Sequence, residues 1–211
     1  MMKHFLISAV LIFTTMLLSG CFVKSLHPTY LDASIIYDFD TYHMFQPLMK
    51  DGSPSKENPW NKHGTIIHTN KNGTESDRLK AVFFKVGKNT YLDVTPGSTS
   101  SEDASMFHLI PAHCLYKVVV KDDLFQLFPL RTSSLELALK RKGVSLSHLQ
   151  QKEGSDEDLI ITASPAEWKK FLETHGDRTG LFADDEPLLF RGSKDLPRQE
   201  MKNGANEVPK K

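Results

Sequence analysis

Apolar and polar positions along the middle of this chain follow the period of a strand. Residues 79–86 carry Val82, Phe83, Phe84 and Val86, side chains that fit a half-buried pleat. Residues 65–69, 90–94, 106–110, 114–120 and 124–128 read the same way, with 34–39 before them and 158–162 after. The alternation in 124–128 places Leu124, Gln126 and Phe128 on one face and Phe125 and Leu127 on the other. Asn72-Gly73, Gly87-Lys88-Asn89 and Asp122-Asp123 supply turns between strands. The stretches 50–62 and 95–105 read as loops, and Pro111 marks an edge, a bulge or a break.

The period changes to that of a helix at two places. Ser133-Ser134-Leu135-Glu136 has the spacing of a capping box, Lys140-Arg141-Lys142 suits the negative end of the helix dipole, and Gly143 suits a left-handed cap. Ser164-Pro165-Ala166-Glu167 offers a cap, a proline at the first helical position and the reciprocal glutamate. Trp168, Phe171 and Leu172 then share one face, and His175-Gly176 ends that helix. The expected fold is α+β: a curved or partly closed antiparallel sheet packed with two helices.

The N-terminus adds a different pattern. Lys3 and His4 precede an apolar run from Phe5 to Leu18, followed by Ser19-Gly20-Cys21. This is the layout of a secretory signal peptide with a lipobox, and the run is shorter than the roughly 20 residues a membrane span requires. Cys21 is thus the expected lipidation site, and two or three acyl chains on it would anchor the protein stably. Phe22 follows, where an aspartate would favour inner-membrane retention, so the expected location is the periplasmic face of the outer membrane in a diderm host. The organisation read from the sequence is a signal peptide at 1–20, an anchor and extended segment at 21–62, an α+β domain at 63–190 and a disordered polar tail at 191–211.

Charge removes whole classes of partner. Lysine and arginine equal aspartate and glutamate at 26 each, which gives no footprint for nucleic acid and no polybasic patch for anionic lipid. Of the two cysteines the lipid takes one, so Cys114 has no disulfide partner and reads as a buried thiol, with a nucleophile as the alternative. No cofactor motif is present: there is no P-loop, no dinucleotide-binding glycine fingerprint and no G-x-S-x-G elbow.

The histidines are the weak candidates for metal binding or catalysis. His108 and His113 stand five apart around Pro111, an odd spacing that sends two rings to opposite faces of a continuous strand. His63 and His68 share that parity. Neither pair has metal-ligand spacing. Asp122-Asp123 and Asp184-Asp185 flank turn signals, where aspartate serves the backbone. Asn72-Gly73-Thr74 matches a glycosylation acceptor but reads better as a turn.

Beginning at Cys21-Phe22-Val23-Lys24-Ser25-Leu26-His27-Pro28, the mature chain resembles an uncharacterised family of small bacterial lipoproteins. The resemblance continues through Tyr37-Asp38, Phe84-Lys85-Val86-Gly87, Tyr91-Leu92-Asp93, the segment from His108 to His113, and Ile160-Ile161-Thr162-Ala163-Ser164. It implies lipidation and a β-rich domain, and it implies no activity. Asp40-Thr41-Tyr42-His43 stands where such relatives carry a Gly-Thr-Trp-like turn, so a lipocalin-like opening is not supported. Three functions stay open. One is a non-catalytic binding module on the cell envelope, for an envelope protein or a small apolar ligand. The second is an envelope enzyme using His108 and His113 with Asp93, and the third is a passive spacer.

Overall fold

A computed structural model describes residues 23–57, 59–63, 66–71, 74–96, 112–141, 143–153 and 156–194. The expected signal peptide, Cys21, the 106–110 strand with His108, the Asn72-Gly73 turn and the chain after residue 194 lie outside them.

Eight antiparallel strands close into a barrel: β2 (Met44–Leu48), β3 (Trp60–His63), β4 (Ile66–Lys71), β5 (Thr74–Val86), β6 (Asn89–Pro96), β7 (Cys114–Lys121), β8 (Leu124–Pro129) and β11 (Leu188–Ser193). The ring closes because β11 lies between β8 and β2, pairing Phe190 with Phe125 on one side and Gly192 with Phe45 on the other. The expected α+β sheet is therefore fully closed. A smaller sheet lies beside it, in which β1 (Lys24–Ser25) runs parallel to β10 (Asp156–Ile161) and β10 pairs with β9 (His148–Glu153). Helices α1 (Thr132–Leu139) and α2 (Pro165–His175) complete the fold.

Alternation sorts the strand residues into two cores. Inside the barrel lie Phe45, Ala81, Phe83, Leu92, Val118, Phe125, Leu127 and Phe190. Outside it, Val82, Phe84, Val86, Tyr91 and Leu115 meet Val23, Leu135, Ile161, Trp168, Phe171 and Leu172 from the N-terminal segment, the small sheet and the helices. Strand β5 is therefore buried on both faces over Ala81–Phe84, which explains a run more continuously apolar than a half-buried pleat needs. Strand β8 divides as its alternation predicts, with Phe125 and Leu127 inward and Phe128 against the outer core.

The capping box of α2 forms as expected: Ser164 Oγ accepts from the Glu167 amide, and Glu167 reaches back to the Ser164 amide. The Glu167 carboxylate also accepts from Ser147 Oγ at 2.5 Å and from Ser164 Oγ at 2.9 Å. These bonds, led by that of Ser147, hold its carboxyl near a pKa of about 2 against an ordinary 4.5. A carboxyl lowered on folding contributes stability above its unfolded pKa and loses that contribution as pH falls through its folded one. The melting-temperature gap between wild type and Glu167→Gln should thus close as pH falls from 4.5 to about 2. A gap that stays constant over that range would show that the carboxylate contributes nothing.

Four sequence expectations need correction. Residues 34–39 form no strand: a 3-10 turn at Asp32–Ser34 leads to a single bridge between Ile35 and Phe84, and a turn follows. The 21–62 segment is no mere extension, because β2 and β3 are barrel staves within it. Helix α1 starts at Thr132 with Arg131 as its cap and no side-chain cap bond, so the Ser133 capping box does not form. The Leu130–Phe182 bridge and the Arg131 amide bond to Leu181 O set where the chain turns into that helix. The polar tail begins later than residue 191, because Arg191, Gly192 and Ser193 belong to β11.

Candidate functional site

Among the described residues, two places bear on the candidate chemistry, and both follow from strand parity. The first lies on the outer wall, where Asp93 of β6 is paired with Leu115 of β7. His113, two residues before Leu115, is therefore a diagonal neighbour on the same face. Its Nδ1 lies 2.7 Å from Asp93 Oδ1. The other oxygen, Oδ2, accepts from the Thr29 amide at 2.9 Å and from Thr29 Oγ1 at 2.6 Å. Asp93 and Thr29 are each 1% exposed. A carboxylate can only accept, so Nδ1 of His113 donates to Asp93.

Backbone bonds complete this cluster. His113 and Ser25 exchange amide and carbonyl at 2.8 and 3.0 Å, while Ser25 Oγ accepts from Trp168 Nε1 and donates to His27 O. The arrangement clasps the N-terminal segment and α2 to the barrel wall. Burial pushes the neighbouring Cys114 thiol up to about 11, with Asp93 adding to the effect and Lys24 opposing it. A thiol shifted in that direction is a poorer nucleophile, which weighs against the nucleophile reading of Cys114.

The second place is the lumen. Phe45, Trp60, Phe83, Leu92, Phe125, Leu127 and Phe190 surround a residual cavity of about 20 Å3. Such a volume holds about one water molecule, and its lining offers a water no polar partner. Above it, residues 37–42 close one mouth of the barrel. The Phe39 ring lies 4.7 Å from that of Phe83 and 5.4 Å from that of Phe125, and Tyr42 meets Phe125 edge-on at 5.0 Å. Lys62 shares the inward face of Trp60 on β3, is 2% exposed, and places Nζ 2.8 Å from Asp40 Oδ1.

Of the remaining sequence candidates, His63 and His68 sit on paired strands, where the register sets His68 opposite Asn61 and so puts His63, two residues on, on the same face of the sheet. Asp122 takes the left-handed conformation of the β7–β8 turn, and Asp123 faces Arg191 at 3.5 Å. Asp184 accepts from the Gly180 amide and Asp185 from Arg131, so that pair also serves a turn. Among the described residues, no three His, Cys, Asp or Glu side chains are grouped as metal ligands.

Asp93 entered the sequence reading only as an accessory to the two histidines, yet it is the centre of the outer cluster. Its place between Leu92 and Val94 on a strand, where a carboxylate must be buried or fully exposed, was the available signal. Lys62 and the 37–42 segment carried no such signal. Comparison with protein-family models, curated proteins and solved structures finds no match to this chain.

Proposed function

We propose that this chain is a bacterial lipoprotein, exported and held to a membrane by acyl chains on Cys21, that displays a non-catalytic binding module on the cell envelope. In a diderm host the reading places it on the periplasmic face of the outer membrane. It belongs, on this view, with the small bacterial lipoproteins its mature N-terminus resembles. The observation that carries the binding reading is the barrel itself, a closed wall around an aromatic lumen with a buried lysine at its mouth. Lumens of this kind hold small ligands when their contents can move.

The alternative, an envelope enzyme using His108 and His113, draws support from the Asp93–His113 pair, whose hydrogen bond orients the His113 ring. The hydroxyls in that cluster weigh against it. Thr29 Oγ1 donates to Asp93 and Ser25 Oγ to His27 O, so neither is aimed at His113.

Cys21→Ser tests the anchor. The variant should leave the membrane fraction and stop partitioning into detergent, whereas unchanged partitioning would refute lipid attachment.

A further inference from the structure

We propose that the barrel lumen is the binding site for a small amphiphilic carboxylate, and that the chain's own Phe39 and Asp40 occupy that site when it is closed. The proposal deepens the binding-module reading and rests on it.

The starting point is a lysine where packing alone would not put one. Lys62 lies two residues beyond the cavity-lining Trp60, on the same face of β3, and is 2% exposed. Burying an ammonium is costly unless it is paired, and a well-packed apolar residue at such a place is often the more stable choice. A fixed cation at the mouth of an aromatic cavity is instead what an anionic head group with an apolar body would need. Among the described residues, its ion-pair partner is Asp40, 49% exposed and on the rim.

Phe39 and Asp40 together have that ligand chemistry. The Phe39 ring packs on Phe83 and Phe125, two of the residues that line the cavity, while the adjoining carboxylate sits on Lys62. Withdrawing the ring joins its volume to the existing cavity. Apolar cavities of about 150 Å3 take up a benzene-sized molecule.

The segment is also built to leave. Its ends are tied to the barrel by Ile36 N to Phe83 O at 3.0 Å and His43 N to Ser193 O at 2.8 Å. Between those ties the backbone bonds are internal, from Asp40 N to Tyr37 O and from Tyr42 N to Phe39 O. Side chains hold it down: Asp40 on Lys62, Phe39 in the lumen, Tyr42 Oη on Asp122 O at 3.2 Å, and the exposed pair of Asp38 with Lys85. Segments with few ladder bonds open at lower cost than the strands around them.

The test uses the full-length lipidated chain in nanodiscs, titrated calorimetrically with 3-phenylpropionate and, separately, with 3-phenylpropan-1-ol, against empty nanodiscs. The acid should bind once per chain and the alcohol at least tenfold more weakly. Asp40→Asn removes the competing carboxylate and raises the open fraction, so it should tighten acid binding by about tenfold, because apparent affinity scales with that fraction. Lys62→Met should abolish the preference for the acid. Should that variant not fold, the Asp40→Asn result and the acid–alcohol comparison decide the matter.

Equal affinity for acid and alcohol, no heat from wild type or Asp40→Asn at millimolar probe, or no gain in Asp40→Asn would each overturn the proposal. Native mass spectrometry of protein extracted gently from its membrane separates the two readings. Silent probes with excess mass beyond the lipid remove the lumen site and leave the binding module standing. Silent probes with a bare lipidated chain remove the support for both.

Discussion

Replacing Asp93 with alanine should lower the melting temperature by about 10 °C or more. The substitution deletes the acceptor of three hydrogen bonds at 2.6, 2.7 and 2.9 Å and leaves the Thr29 amide, Thr29 Oγ1 and His113 Nδ1–H without it. Removing one partner of a buried charged network costs about 3–5 kcal/mol. For a domain of this size each kcal/mol moves the midpoint by about 2–4 °C. The cost is high because the bonds join distant parts of the chain, with Thr29 in the N-terminal segment, Asp93 on β6 and His113 just before β7.

Asp93→Asn should cost less, since the amide oxygen still accepts from Thr29 and its NH2 can donate to a His113 that has moved its proton to Nε2. Nitrogen NMR of the imidazole would report that exchange of tautomer directly. An alanine variant that melts within a degree or two of wild type would show that the cluster contributes little to the fold.

Truncation separates barrel from tail. Deleting residues 195–211 should leave the melting temperature nearly unchanged, whereas deleting 192–211 should lower it by about 10 °C, on the order of 3 kcal/mol at about 1 kcal/mol per hydrogen bond. The longer deletion removes the Gly192 amide bond to Asp123 O, the Ser193 carbonyl that accepts from His43, and the last two pairs between β11 and β2. It unfastens the barrel at its seam. Gly192→Ala probes the same place without shortening the chain. A Cβ there would stand 2.5 Å from Tyr42 Cδ1 and 2.7 Å from Phe125 Cε2, so both rings must shift. Overpacking of this kind costs about 1–3 kcal/mol. Equal melting of the two truncations would mean that the seam contributes nothing.

The outer cluster was legible only in fragments. Asp93 and His113 could be named from the chain, but twenty residues separate them, and their meeting depends on the register that sets Asp93 opposite Leu115. His108 could be named as well, and it lies outside the described residues. The lumen site was not legible at all. Lys62 reads as one more charged residue beside a loop, and only the closure of β3 between β2 and β4 turns its side chain inward.

The division follows the range of the forces involved. Local chemistry by itself determined the α2 capping box, the turns at Gly87 and Asp122, and the two faces of β8, because each rests on residues within a few positions of one another. Gly143 is left-handed as its sequence suggests, but it does not cap α1, which ends on Lys140. It determined the α+β class too, since strand and helix periods are written along the chain. Tertiary structure alone decided that polar stretches such as Gln46 in β2 and Asn61 and Lys62 in β3 become strands, and that Arg191 to Ser193 form a seam. Those segments bury too little to fold as isolated units. They become strands because each supplies backbone partners to a neighbour that is already apolar, and a barrel has no edge left over once the last of them pairs.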